Sequence, residues 1–167
     1  MTSGLHSSGY LQCALVLQHP ALAEELGAAI AALVRDRGAQ AVLSPALGGI
    51  VIGQEVGRAL GIRAIFAERQ DGTLMLRRGF ALEPREKVLV VEDVVTTGGL
   101  TRETMEVARA AGAEVVGAAS IVDRSGGAHQ LDVPYHALAA VSLPTYEPDT
   151  CPLCLAGQPV VKPGSRA

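Results

Sequence analysis

Apolar positions along the chain follow two spacings, one typical of amphipathic helices and one typical of strands buried on both faces. Helical spacing predicts three helices, over Ala21–Arg35, Ile50–Leu60 and Leu100–Ala111. Short apolar runs predict five strands, over Ala41–Ser44, Ile62–Phe66, Lys87–Val91, Glu114–Val122 and Tyr135–Val141. Because the strands are apolar throughout and alternate with helices, we expect an α/β fold with a central parallel sheet of about five strands flanked by helices.

Two segments depart from this alternation. Residues 67–86, AERQDGTLMLRRGFALEPRE, are polar and too long for a simple connection, so we expect a mobile loop with a functional role. The tail from Leu143 onward is expected to lie extended across a surface, because its prolines exclude a regular helix. Neither segment is a linker, so 1–167 is predicted to be a single domain.

The amino-acid composition limits the classes of binding partner that the chain can have. The chain has 167 residues, of which 49% are hydrophobic and 19% charged, which fits one compact α/β domain. Its formal charge of -3 argues against a nucleic-acid partner but leaves a small anionic ligand possible. No stretch is apolar enough to span a membrane, and the start MTSGLHSSGY does not resemble a signal peptide. We therefore expect a cytoplasmic protein with no membrane partner.

Three cysteines, Cys13, Cys151 and Cys154, are an odd count, which fits a reducing compartment. Cys151 and Cys154 lie in a CPLC sequence that could supply half of a zinc site. A second pair at similar spacing is missing, so a tail turn with free thiols is favoured over zinc.

The stretch VLVVEDVVTTGGLTRE at positions 88–103 carries the strongest chemical signal. Ligands of open parallel sheets bind beyond the carboxyl ends of the strands, where we expect Glu92 and Asp93 to lie. The small residues after them lead into a predicted helix, whose first N–H groups can hold a phosphate. Two carboxylates beside a phosphate cradle suit a sugar phosphate; the alternative is that both acids are merely a strand end and a helix cap.

Common nucleotide motifs are absent from the sequence. It contains no G-x-x-x-x-G-K-[ST], and the glycines of ALGGIVIG do not follow the G-x-G-x-x-G spacing. These absences weaken an ATP-loop or dinucleotide interpretation.

VLVVEDVVTTGG resembles the phosphoribosyl pyrophosphate motif of type I phosphoribosyltransferases. Other segments resemble the orotate phosphoribosyltransferase family in the same order along the chain: SGLHSSGY, SPALGGIVIG, FAERQDGTLMLRRGF, VDRSGG and CPLCLAGQPVVKPGSR. The resemblance covers Ser3 to Arg166. It implies a type I phosphoribosyltransferase fold with a core of 20–142 and a small hood formed by the terminal segments 1–19 and 143–167. Relatives commonly have a helix and a short strand before SGLHSSGY, so the hood is expected to be incomplete at its N-terminal side.

The activity that the resemblance implies is a transfer that depends on Mg²⁺, in which orotate and phosphoribosyl pyrophosphate give orotidine 5′-monophosphate and pyrophosphate during UMP biosynthesis. A homodimer is also implied, since relatives complete each active site with a loop from the neighbouring subunit. Two alternatives stay open: a phosphoribosyltransferase for another base, and a non-catalytic regulator that senses phosphoribosyl pyrophosphate.

Site residues follow from the resemblance by position. Glu92 and Asp93 would hold the ribose hydroxyls, with Asp93 also near the Mg²⁺, which is bound mostly through substrate and water. Arg124, together with Thr97, would bind orotate, although an exposed arginine in a turn is the alternative. The remaining phosphoribosyl pyrophosphate contacts are Val94 and Val95; Thr96, Thr97, Gly98, Gly99, Leu100 and Thr101, which would bind the 5′-phosphate; and Ala46, Leu47, Gly48 and Gly49 in the pyrophosphate loop.

Several residues depart from the family pattern. The pyrophosphate loop, expected to hold a non-proline cis peptide within Ala46 to Gly48, has glycines where many members have a lysine. Gly99 replaces a hydroxyl residue. The loop 67–86 contains no lysine, so we assign the catalytic leaving-group contact to Arg69, with Arg77 and Arg78 as rivals. His6 is expected to be a surface or interface histidine rather than a catalytic base.

Overall fold

Residues 6–161 are described by a computed structural model and form two compact units. The larger unit is Cys13–Val141, and the smaller unit combines residues 6–12 with 142–161. Residues 13–19, which the resemblance places in the hood, belong to the larger unit. The strands are β1 His6–Ser7, β2 Ala41–Pro45, β3 Arg63–Gln70, β4 Thr73–Leu76, β5 Lys87–Val95, β6 Glu114–Asp123, β7 Tyr135–Ala140 and β8 Thr145–Tyr146. The helices are α1 Ala14–Leu17, α2 Pro20–Val34, α3 Gly48–Leu60, α4 Gly99–Ala110 and α5 Pro152–Leu155.

A six-stranded sheet of order β4-β3-β2-β5-β6-β7 organises the larger unit. Five of its strands, β3, β2, β5, β6 and β7, are parallel, which confirms the predicted parallel α/β sheet. The expected number of about five is corrected to six, because β4 adds an antiparallel edge strand. All five residues of β2 are buried, as expected for a strand covered on both faces.

Alternate residues of β2 show how the sheet is covered. Leu43 packs in a cluster with Ala108 of α4, whereas Val42 and Ser44 lie against Gly53 of α3. Because successive side chains of a strand point to opposite faces, α3 and α4 cover opposite faces of the sheet. Helix α2 packs on α3, where a β-carbon on Gly27 would lie 2.5 Å from Glu55 Cβ.

The segment 67–86 is not a long irregular connection in this structure. Its first part completes β3 and forms a hairpin with β4, in which Gln70 pairs with Thr73. Asp71 and Gly72 form the turn with φ values of 50° and 84°, the positive angles that a two-residue hairpin of this twist requires. The expectation of an irregular loop missed the alternation in TLML that lets β4 pair with β3.

In the smaller unit, β1 and β8 form an antiparallel ladder. The tail is not extended throughout, because a 3₁₀ turn over Pro148–Thr150 and the one-turn helix α5 follow β8. Pro152 stands in the first turn of α5, where proline is tolerated since no intrahelical N–H bond is lost. Residues 1–5 and 162–167 of the predicted hood lie outside the described residues.

Candidate active site at the end of strand β5

The paired acids lie within β5 rather than beyond it. Strand β5 extends to Val95, four residues past the predicted end, and Glu92 is paired with Ser120 of β6. Glu92 is 6% exposed and its Oε2 accepts a hydrogen bond of 2.5 Å from Thr101 Oγ1. Asp93 points to the other face and is half-buried. The pairing continued past the acids because their neighbours in β6 supply ladder partners, a fact of tertiary structure.

Burial governs the charge of both carboxyls. It raises the pKa of Glu92 to about 7; the Thr101 hydrogen bond opposes this rise, and the charge of Asp93 adds to it. Burial also raises the pKa of Asp93, while backbone N–H groups partly offset that shift. Two adjacent acids that resist ionisation are suited to a ligand that brings hydroxyl donors or positive charge.

The loop between β5 and α4 presents exposed hydroxyls and backbone at a helix start. Thr96 and Thr97 are exposed, and Gly98 precedes α4 in a left-handed conformation with φ 72°. A β-carbon on Gly98 would lie 2.6 Å from the carbonyl oxygen of His129, so both conformation and space require glycine there. The Arg102 guanidinium donates to the carbonyl oxygens of Thr97, at 3.2 Å, and His129, which fixes the loop from behind.

The second loop reaches the acids through Gly48. The peptide bond between Ala46 and Leu47 is cis, as expected from the resemblance. Helix α3 begins at Gly48, two residues before the predicted start, so both glycines of the loop lie in its first turn. A β-carbon on Gly48 would lie 2.7 Å from Asp93 Oδ1 and 2.9 Å from Oδ2. The structure therefore brings the predicted pyrophosphate loop against the predicted ribose-binding acid.

Arg124 follows β6 directly and is half-buried. Its backbone N–H donates to the carbonyl oxygen of Val95 at 2.7 Å, which places it beside the end of β5. The next turn is ordered by Asp123, whose Oδ1 accepts from the N–H of Ser125. Arg124 is thus at the same edge of the sheet as the threonine loop.

The three arginines of the hairpin segment differ in their partners. Arg69, in β3, makes a bidentate ion pair with Glu103 of α4, with distances of 2.8 and 2.5 Å, and also donates to the Gly72 carbonyl oxygen. Arg78 pairs with Glu68 and lies over the ring of Phe66. Arg77 is exposed, and no carboxylate among residues 6–161 forms an ion pair with it.

Two neighbours of the site were missed from the sequence. Cys13 lies with Sγ 4.0 Å from the carbonyl oxygen of Asp93, and burial, with the Asp93 charge adding, raises its pKa to about 11. Arg102 contacts the site by donating to backbone carbonyl oxygens of the loop, and it belongs to no recognised sequence motif. No spacing signal links Cys13 to position 93, whereas the position of Arg102 in the first turn of α4 could have suggested a contact with the loop.

The Asp93 carboxylate fits a magnesium ion. Mg²⁺ prefers hard oxygen donors and usually takes only one or two carboxylates from a protein. Asp93 offers two carboxylate oxygens beside Gly48, where any side chain would collide with them. Glu92 points to the opposite face of the sheet and its Oε2 is bonded to Thr101, so Asp93 is the carboxylate of the pair that can face the ion.

Comparisons with known proteins agree with this architecture. Residues 14–139 match the model of the phosphoribosyl transferase domain family. The chain is 53% identical to an orotate phosphoribosyltransferase of Desulforamulus reducens, over 99% of this chain and 87% of the relative. It is 56% identical to one of Novosphingobium aromaticivorans, over 100% of this chain and 88% of the relative.

The chain belongs to the orotate phosphoribosyltransferase family. This result confirms the family predicted from the ordered motifs. A crystal structure of a phosphoribosyltransferase from Corynebacterium diphtheriae has a TM-score of 0.70 at 31% identity, covering 78% of this chain and 82% of that chain. The predicted type I phosphoribosyltransferase fold is thereby confirmed. Within residues 6–161 of this family member, no helix has the length and apolar character needed to cross a bilayer.

Proposed function

We propose that this chain transfers the phosphoribosyl group of phosphoribosyl pyrophosphate to orotate, giving orotidine 5′-monophosphate and pyrophosphate in pyrimidine biosynthesis. The observation that carries the proposal is the junction of β5 and α4, where the buried Glu92 and the half-buried Asp93 precede a threonine and glycine loop at a helix start. Relatives at 53% and 56% identity over nearly the whole chain bear the name of this activity.

The reaction breaks the bond between C1′ of the ribose and the pyrophosphate oxygen, and forms a bond from C1′ to a ring nitrogen of orotate, which gives up its proton. Positive charge develops on the ribose and negative charge on the leaving oxygens. Preorganised groups that match these charges supply most of the catalysis in such a site. The chain must therefore hold the ribose, stabilise the leaving group and place the base.

Glu92 and Asp93 are proposed to accept hydrogen bonds from the two ribose hydroxyls. Thr101 fixes Glu92 by donating to Oε2. Because burial raises the pKa of Glu92 to about 7, the ligand-free acid is partly protonated near neutral pH, and hydroxyl donors favour its charged form. Binding of the sugar and ionisation of Glu92 are therefore coupled.

The remaining ligand groups are assigned to loops. Thr96, Thr97 and the N–H groups that begin α4 are proposed to hold the 5′-phosphate. The loop Ala46–Gly49 is proposed to hold the pyrophosphate against Asp93. Mg²⁺, held by Asp93 with Glu92 nearby, would supply positive charge to the pyrophosphate oxygens. Arg124, with its planar fork of donors, is proposed to bind the orotate carboxylate.

The leaving-group cation is proposed to be a hairpin arginine. Arg69 is the first candidate, but it must exchange its ion pair with Glu103 for the ligand. Arg77 carries no such ion pair among residues 6–161 and is the rival. A homodimer, in which this hairpin serves the neighbouring subunit, is part of the proposal and rests on the family resemblance.

Orotate consumption followed by absorbance tests the proposal directly. Purified chain with phosphoribosyl pyrophosphate is expected to consume orotate when Mg²⁺ is present and to stop when it is removed. A panel of adenine, hypoxanthine and uracil serves as the control for base selectivity. Turnover of another base but not orotate, or binding of phosphoribosyl pyrophosphate without turnover of any base, would contradict the assignment.

The proposed homodimer and the proposed cytoplasmic location each need support of their own. Mixing the inactive variants Arg69→Ala and Asp93→Asn is expected to restore part of the activity if the hairpin acts across subunits.

A cytoplasmic location is proposed because all three cysteines are free thiols, as a reducing compartment would keep them.

A further inference from the structure

The smaller unit has almost no apolar interior. Among its described residues, 6–12 and 142–161, Cys151 is the one buried residue, at 1% exposure. Its strand pairing is limited to the two-residue ladder of β1 and β8, and α5 is a single turn. Units of this size commonly depend on a disulfide, a metal ion or an oligomeric contact, because their buried apolar surface cannot offset the lost chain entropy.

Three metal-binding side chains meet at the centre of this unit. The β1–β8 ladder aligns His6 with Tyr146, and the chain then turns so that Cys151 immediately precedes α5 and Cys154 lies within it. The ligand atoms of His6, Cys151 and Cys154 all lie within 4.8 Å of one another. His6 Nδ1 is 3.2 Å from Cys154 Sγ, and both cysteines are free thiols.

These distances, 3.2 Å for one pair and at most 4.8 Å for the others, bracket those of a tetrahedral zinc site. With Zn–S and Zn–N bonds of about 2.3 and 2.0 Å, tetrahedral angles separate ligand atoms by about 3.5 to 3.8 Å. The cluster needs only small side-chain adjustments to reach that geometry. Two thiolates and an imidazole select zinc over magnesium, which prefers oxygen donors. The sequence argued against zinc because no second cysteine pair exists; the third ligand is instead a histidine 145 positions before Cys151.

We propose that His6, Cys151 and Cys154 bind one zinc ion that ties β1 to the C-terminal segment. The three ligands border a pocket of about 270 Å³, which Ser7, Tyr10 and Gln158 also line. The fourth coordination position faces this pocket and takes a water molecule, as in zinc sites with three protein ligands. The site is separate in residues and in chemistry from the proposed magnesium site at Asp93.

Metal content of the untagged full-length chain tests the proposal. The chain is purified with a thiol reductant and without chelator, dialysed, and analysed for zinc by plasma mass spectrometry. About one zinc per chain is expected, the stoichiometry of a single site. Cobalt added to the metal-depleted chain is expected to give the intense thiolate-to-cobalt absorption that oxygen ligands cannot produce.

Matched variants locate the ion. Cys151→Ser and Cys154→Ser are expected to lose the zinc and the cobalt absorption, and His6→Ala to lose most of both. Cys13→Ala and His19→Ala each remove the same type of side chain outside the cluster and are expected to retain one zinc. Circular dichroism confirms that each variant is folded.

The wild-type chain alone can overturn the proposal, whatever the variants do. Absence of both bound zinc and thiolate-to-cobalt absorption in the folded chain would refute it. A Cys151–Cys154 disulfide, detected as a mass lower by two hydrogens in chain purified without reductant but with zinc present, would also refute it. Retention of zinc by the Cys151→Ser/Cys154→Ser double variant would place the metal elsewhere and refute the assignment.

Discussion

The α-carbon of Gly48 faces the carboxylate of Asp93 so closely that a β-carbon at residue 48 would lie 2.7 Å from Oδ1. The two residues are 45 positions apart and belong to different predicted ligand loops. Their contact joins the start of α3 to the last residues of β5. A side chain at residue 48 would therefore displace the Asp93 carboxylate, which is proposed to be catalytic.

Gly48→Ala is expected to keep the fold and to lower kcat by about tenfold or more, because the new methyl group displaces the Asp93 carboxylate. Steady-state kinetics of the single variants and of Gly48→Ala/Asp93→Asn measure the effect. Both changes act on one carboxylate, so their free-energy effects should not add. Additive losses would mean that Gly48 acts independently of Asp93.

Asp93→Asn should leave the strand intact but reduce turnover by two orders of magnitude or more, about 3 kcal/mol of barrier. The amide has the same shape but cannot supply the negative charge. Asp36→Asn, at an exposed acid outside the site, is the control and should retain wild-type rates. Near-normal turnover in a folded Asp93→Asn variant would remove the acid from the mechanism.

The stability of the ligand-free chain is expected to fall as pH rises from about 4.5 to about 7. The folded pKa of Glu92 is raised to about 7 from its ordinary value of 4.5, so between these values the folded state holds more protons than the unfolded state. The resulting loss is at most about 3 kcal/mol. The raised pKa of Asp93 acts in the same direction.

Glu92→Gln removes this titration and is expected to be more stable than wild type at pH 8, with little difference at pH 4.5. Urea unfolding across this pH range measures the effect, and Glu25→Gln, at an exposed acid on α2, is the control. An unchanged pH dependence in Glu92→Gln would show that Glu92 ionises normally in the folded chain.

Arg124→Ala is expected to raise the KM for orotate while leaving the affinity for phosphoribosyl pyrophosphate nearly unchanged. The loss should be about 2 to 4 kcal/mol if the arginine–carboxylate pair is desolvated. Initial-rate kinetics with each substrate varied in turn provide the measurement, and Arg35→Ala at the end of α2 is the control. Equal weakening of both substrates would indicate that Arg124 has a structural role.

Arg69→Ala should lower kcat more than it changes KM, because a contact with the leaving oxygens strengthens as their charge develops. Glu103→Gln breaks the same ion pair but keeps the arginine, so it should retain activity. An arginine stays protonated, so no fall in rate of the kind that lysine deprotonation causes is expected at moderately alkaline pH. Loss of activity in Arg77→Ala with normal Arg69→Ala kinetics would transfer the role to Arg77.

The sequence by itself determined the family, the parallel α/β core and the order of the binding segments. Apolar runs such as Val88–Val91 favour strands buried on both faces, and small residues after paired acids favour a loop that a ligand can approach closely. These are local properties of spacing and side-chain size.

Tertiary structure alone decided which distant residues meet. The pairing of Glu92 with Ser120 extended β5 past the acids, and the β3–β4 hairpin placed Arg69 on Glu103 instead of leaving it in an irregular loop. Gly48 against Asp93, and His6 beside Cys154, are likewise set by packing across many intervening residues. A periodicity reports the face on which a residue lies; which residue covers that face depends on how the whole chain packs.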